Sequence, residues 1–143
     1  MFFKKAKKAL EEKSNRLQGR TDLLEAVCAA AALVANADND ISDAEVDATV
    51  KAVKANTALA GAFSPSDIDK NINTALTTAG GGRVGQRQLM KEIEDISGDA
   101  DDGEIIILTA LDIAEADGDI CDDEMKVLKK IGDAVGQNVE NFI

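Results

Sequence analysis

The chain has 143 residues, 45% of them hydrophobic, and a formal net charge of −11, a length that suits one domain burying roughly 68 to 70% of its unfolded surface. It holds no histidine, tryptophan or tyrosine and only two cysteines, Cys28 and Cys121, which excludes Ser/His/Asp and Cys/His triads, imidazole zinc sites, phenolic acids and a disulfide framework. Residues 1–20 carry seven Lys/Arg against two Glu and the remainder nine against 25; a body of about −16 repels phosphate backbones, argues against nucleic acid as a partner, and suits cations or basic proteins.

Apolar residues recur at three- and four-residue spacing throughout and proline occurs once, which predicts an all-α single domain of about seven helices. Residues 1–20 form a basic amphipathic N-terminal helix, with Phe3, Ala6, Leu10 and Leu17 on one face and Lys4, Lys5, Lys7 and Lys8 beside it. Such a segment, from Phe2 to Leu17, suits peripheral attachment to anionic membranes, an acidic partner, or the body itself. Residues 21–143 form an acidic helical domain. Its first helix, capped by Thr21 or Asp22, buries Leu24, Val27, Cys28, Ala31 and Val34 and closes around Ala37. The next begins at Ser42, where Ser42 and Glu45 make an S-x-x-E capping box ahead of Val46, Val50 and Val53. Ser64-Pro65-Ser66-Asp67 opens another through a capping serine and a proline at the first helical position, with Ile68, Ile72, Ala75, Leu76 and Ala79 as its stripe.

Gly80 to Gly85 reads as a flexible joint; it fits G-x-G-x-x-G but follows a helix instead of a strand, so a dinucleotide loop is not expected. Leu89, Met90, Ile93 and Ile96 mark the following helix, and Ile105 to Ile113 a helix apolar on nearly every side, expected at the centre. Asp99, Asp101, Asp102 and Glu104 crowd its start and read as a solvated helix entrance. The last long helix starts at Cys121 or Asp122 and buries Met125, Leu128, Ile131 and Val135, with a final turn through Val139 and Phe142. No run approaches the ~20 apolar residues of a membrane span, and the reading is a cytoplasmic protein, with attachment to the inner membrane face open through residues 2–17.

Residues 37–45, ADNDISDAE, match residues 116–124, ADGDICDDE, at six of nine positions and an offset of 79. Each copy lies between an apolar helix and an amphipathic one, so hairpins of about 21–58 and 101–136 are expected to pack with pseudo-twofold symmetry. Neither loop is an EF-hand: the sixth and twelfth positions are Asp43 and Thr49 in one, Asp122 and Leu128 in the other. Acids in a first turn stabilise a helix through its dipole, the ordinary reading of Asp43, Glu45, Asp122, Asp123 and Glu124. Asp38 and Asp117 instead follow helix C-termini, where negative charge is unfavourable unless an Asx-turn or a cation offsets it. Oxygen-only donors suit a hard cation of the Ca²⁺ or Mg²⁺ type. Two related sites follow, Asp38, Asp40, Asp43 and Glu45 in one and Asp117, Asp119, Asp122, Asp123 and Glu124 in the other.

The doubled A-D-[GN]-x-I-x-x-x-E pattern, with Glu25-Ala26-Val27-Cys28-Ala29-Ala30 early in the first hairpin, resembles the TerB family of tellurite-resistance proteins over nearly the whole chain. Asn39 departs from it, standing where glycine is common. The resemblance implies an all-helical fold, metal-binding acidic clusters, and work in stress response beside the membrane protein TerC. The expected function is that of a tellurite- and stress-resistance accessory protein that binds a divalent cation through carboxylates, with no catalytic residues. The alternative is a helical scaffold or interaction module without metal, as a component of another assembly.

Overall fold

The computed structural model of the chain describes residue 12, residues 15–116 and residues 118–143, and every regular element among them is helical. In chain order these are α1 (Thr21–Ala35), α2 (Asp43–Ala55), α3 (Thr57–Ala60), α4 (Pro65–Ala79), α5 (Gly82–Asp95), α6 (Ala100–Glu115) and α7 (Asp122–Val135), then a 3₁₀ turn, Val139–Phe142. Most of the expected N-terminal helix lies outside the described residues. Its last turn, residues 15–17, is helical and drives Leu17 fully into the core.

Local chemistry sets most helix starts. The Ser42 hydroxyl accepts from the Glu45 amide while Glu45 accepts from the Ser42 amide, the expected box. Ser64 accepts from the Asp67 amide with Pro65 at the first helical position. Asp99 caps α6, which begins at Ala100, by accepting from the amides of Asp101 and Asp102. Helix α1 has no side-chain cap; Arg20, not Thr21 or Asp22, stands before its first turn, and it ends at Ala35. The short α3 is new: Asn56 closes α2 and accepts from the Leu59 amide to open the next turn.

Two expectations about the interior change. The centre of the bundle is α1, not α6: α1 packs on α4, α5 and α6 and also reaches α2 and α7, whereas α6 packs mainly on α1 and α7. Eleven consecutive or near-consecutive α1 residues from Leu23 to Val34 are buried. Five of them are alanines, and small side chains let several helices approach one axis. The second correction is the glycine segment, whose latter part is already helix, with Gly85 buried. Helix α5 already begins at Gly82, and a Cβ on Gly85 would lie 1.9 Å from the Thr78 carbonyl oxygen, so only glycine allows α5 to pass that close to the end of α4.

Each repeat is a helical hairpin, α1 with α2 and α6 with α7, and the inner helices α1 and α6 pack against each other. That contact places the two repeated loops and the two helix starts behind them on either side of one seam.

Candidate functional site

At the seam, Ala31, Val34 and Ala35 of α1, Ile113 and Ala114 of α6, Glu45, Ala48, Thr49 and Ala52 of α2, and Glu124 of α7 line a cleft of about 50 Å³. Val34 and Ile113, Ala35 and Ala114, and Glu45 and Glu124 are each 79 residues apart. The cleft therefore sits where the repeats meet, and each contributes one carboxylate to a wall otherwise made of small and aliphatic side chains.

Both glutamates are already held. Glu45 Oε1 accepts from the Ser42 hydroxyl at 3.0 Å and from its amide at 3.4 Å. Glu124 Oε1 accepts from the Cys121 amide at 3.0 Å, and the Cys121 sulfur, a weak acceptor, stands in the serine's place to complete the second box. No hydrogen bond to either Oε2 occurs among the described residues. The backbone amide of Glu124 pulls the Cys121 thiol pKa down, but its carboxylate and burial push it up and the net shift is upward. That makes Cys121 a poor nucleophile despite its helix N-terminus.

The other repeated acids among the described residues do not line the cleft. Asp38 is exposed and its Oδ1 accepts from the Asp40 amide at 3.1 Å, an Asx-turn that offsets its position past a helix end. Asp40, Asp43, Asp119, Asp122 and Asp123 are exposed, and Asp117 lies outside the described residues. Among the described residues no three acids or thiols cluster closely enough to hold a metal ion by themselves. The loops also differ in backbone: Asn39 adopts φ 62°, a left-handed conformation asparagine tolerates, whereas Gly118 adopts φ 125°.

A second charged cluster was not anticipated. Asp102 is only 4% exposed, and its carboxylate receives Arg16 Nε at 2.8 Å and Arg20 Nη2 at 3.0 Å. Arg16 also reaches Asp99 at 2.8 Å, and Arg20 reaches Asp22. This ties the end of the basic N-terminal segment to the start of α6, so Asp102 is a buried anchor and not part of a solvated entrance. A signal was present: Asp102 stands three residues before Ile105 and four before Ile106, on the apolar side of its helix. The amides of Asp101 and Asp102, with Arg16, hold the Asp99 carboxyl below its ordinary value, and the Arg20 guanidinium does the same for Asp22. On the other flank of α1, burial pushes the Cys28 thiol up to about 12 and, with Glu25 and Asp95 nearby, raises Glu92.

No helix among the described residues is long and apolar enough to cross a membrane. The family described as tellurite resistance protein TerB matches residues 24–143. No curated protein and no solved structure matches the chain.

Proposed function

Since the chain belongs to the tellurite resistance TerB family, we propose that within tellurite resistance it acts as a divalent-cation-responsive module, with Glu45 and Glu124 as the carboxylates that a cation joins. The observation carrying this reading is the cleft at which the two repeats each present a glutamate from an equivalent position. Its donors fit a hard cation: two carboxylates, each with an oxygen left over from its capping box, and no nitrogen or thiolate ligand in the wall. Mg²⁺ is commonly held by one or two carboxylates while keeping several waters. When bound, the cation would supply positive charge between the two carboxylates.

The chain's own residues do the rest. Ser42 and Cys121 hold the glutamates at the mouths of α2 and α7, so neutralising them couples the first hairpin to the second. A membrane-associated TerC-like protein is the partner to which such a coupled state would be presented. Affinity is modest, because two protein ligands leave most of a cation's coordination to water.

One observation favours the scaffold reading instead, namely that both glutamates already serve as caps, a sufficient structural use for each. Calorimetry with Mg²⁺ and Ca²⁺ on the wild type and on Glu45→Gln/Glu124→Gln separates the two. Binding heat in the wild type that the double variant lacks supports the cation module. Absence of heat at millimolar metal leaves the scaffold.

A further inference from the structure

In a chain of net charge −11, the groove between α5 and α7, over the end of α1, is cationic. It measures about 370 Å³, toward the lower end of the ~300–1,000 Å³ typical of ligand pockets. Leu33, Met90 and Val127 give it an apolar floor, and Arg87 and Lys130 stand at its edges. Lys126 precedes Lys130 by one turn of α7, and neither takes part in a salt bridge among the described residues. Arg87 pairs with Glu94 at 2.9 Å, but that pair is exposed, and an incoming carboxylate displaces it at little cost.

The amides in the wall narrow the choice of ligand. Gln86 Nε2 donates to Asn39 Oδ1 at 3.2 Å, which leaves the Gln86 carbonyl oxygen and the Asn39 amino group without partners among the described residues. One acceptor and one donor, side by side, match the N–H and C=O of a peptide unit. A fatty acid would use the floor and the cations but not the amides, and an inorganic anion only the cations.

We propose that this groove binds the carboxyl-terminal residue of a partner protein, one with an aliphatic side chain. The terminal carboxylate lies against Lys130 and Arg87, the side chain on Leu33, Met90 and Val127, and the preceding peptide unit at Asn39 and Gln86. Capture of a C-terminal carboxylate beside an apolar contact is a recurrent mode of peptide recognition. The groove shares no lining residue with the cleft of Glu45 and Glu124, and the inference does not depend on cation binding.

The test is a ¹⁵N-resolved titration of the full chain with three probes: a tetrapeptide ending in leucine with a free carboxylate, the same peptide as its C-terminal amide, and hexanoate. The free acid is expected to shift the amides of Asn39, Gln86, Arg87, Val127 and Lys130, and the other two probes to bind at least about tenfold more weakly. Lys130→Glu, an exposed position whose circular dichroism should stay unchanged, should weaken the free acid by a similar factor. Lys70→Glu on the distant face of α4 should not. Equal binding of the amide or of hexanoate, an undiminished response in Lys130→Glu, or no shift at millimolar peptide overturns the proposal.

Discussion

The two hairpins carry the same loop and the same helix start but solve the interior differently. In the first, α1 is alanine-rich and serves as the axis on which α2, α4, α5, α6 and α7 converge. In the second, α6 fills space with isoleucines and packs on fewer neighbours. The pairs 79 residues apart show what diverged: Cys28 became Ile107, Leu23 became Asp102, Leu24 became Gly103 and Ser42 became Cys121. The pairs at the seam, Val34 with Ile113, Ala35 with Ala114 and Glu45 with Glu124, stayed close in kind. The cleft itself is not symmetric, since its remaining α2 residues, Ala48, Thr49 and Ala52, correspond to Val127, Leu128 and Ile131 in the second hairpin.

The harshest way to break this comparison is to place a charge at equivalent points of both inner helices. Ile107 and Cys28 are both buried, at 0% and 1% exposure. Ile107→Asp and Cys28→Asp should each cost more than about 5 kcal/mol, as much as the whole stability of a marginal domain. Loss of the helical circular dichroism signal at 25 °C checks it. Survival of either variant would mean that its hairpin is not part of one cooperative core.

Asp102 offers a sharper contrast, because its counterpart Leu23 is an ordinary core residue. Asp102→Ala removes hydrogen bonds from two guanidinium groups and should cost about 2 to 3 kcal/mol in chemical denaturation. Asp102→Leu, which restores the first hairpin's solution, should cost clearly less, since Arg16 and Arg20 retain Asp99 and Asp22 and reach solvent. Equal losses in the two variants would show that the ionic anchor cannot be replaced by apolar packing.

These contrasts also mark what the sequence could carry. The caps at Ser42 and Ser64, the stripe from Ile68 to Ala79 and the interior of α1 were legible because each depends on residues within one or two turns. The hub was misjudged because alanines score low in hydrophobicity, although they permit the closest helix approaches. Gly85 looked like a hinge because nothing local announces that the Thr78 carbonyl lies against it. Asp102 meets its partners 86 and 82 residues away, a separation no local pattern encodes. The repeated acids were visible as a set. That Glu45 and Glu124 line one cleft, and that Asp38, Asp40 and Asp119 do not, follows only from the packing of α1 on α6.

The two capping boxes differ by one atom type. Ser42→Ala should cost about 1 kcal/mol, and Cys121→Ser should gain a few tenths to about 1 kcal/mol because a hydroxyl accepts more strongly than a thiol. Thermal melts of both variants check this, and a stabilising Ser42→Ala would show that its box contributes nothing.

The smallest effect concerns Glu92, raised above its ordinary 4.5 by burial and by Glu25 and Asp95. A raised acid makes the folded state hold its proton more tightly, so its charge lowers stability above the folded value and the penalty vanishes below 4.5. Glu92→Gln should therefore stabilise at pH 7 by less than about 1 kcal/mol, and the gain should disappear as the pH falls toward 4.5. Asp99 and Asp22 act in the opposite sense, since their contribution is full above 3.8 and lost below it. A Glu92→Gln gain that persists below pH 4.5 would contradict the assigned cause.

The central claim is that the hairpins share one cation site at their seam instead of holding one site in each loop. It is tested most directly by the Mg²⁺-induced rise in melting temperature across a cycle of wild type, Glu45→Gln, Glu124→Gln and the double variant. One shared site predicts that each single substitution removes most of the rise, which reflects a stabilisation of about 2.7 kcal/mol at a hundredfold excess over Kd, and that the double variant loses little more. If each single substitution removes about half and the two losses add, the loops bind separately and the seam is not the site.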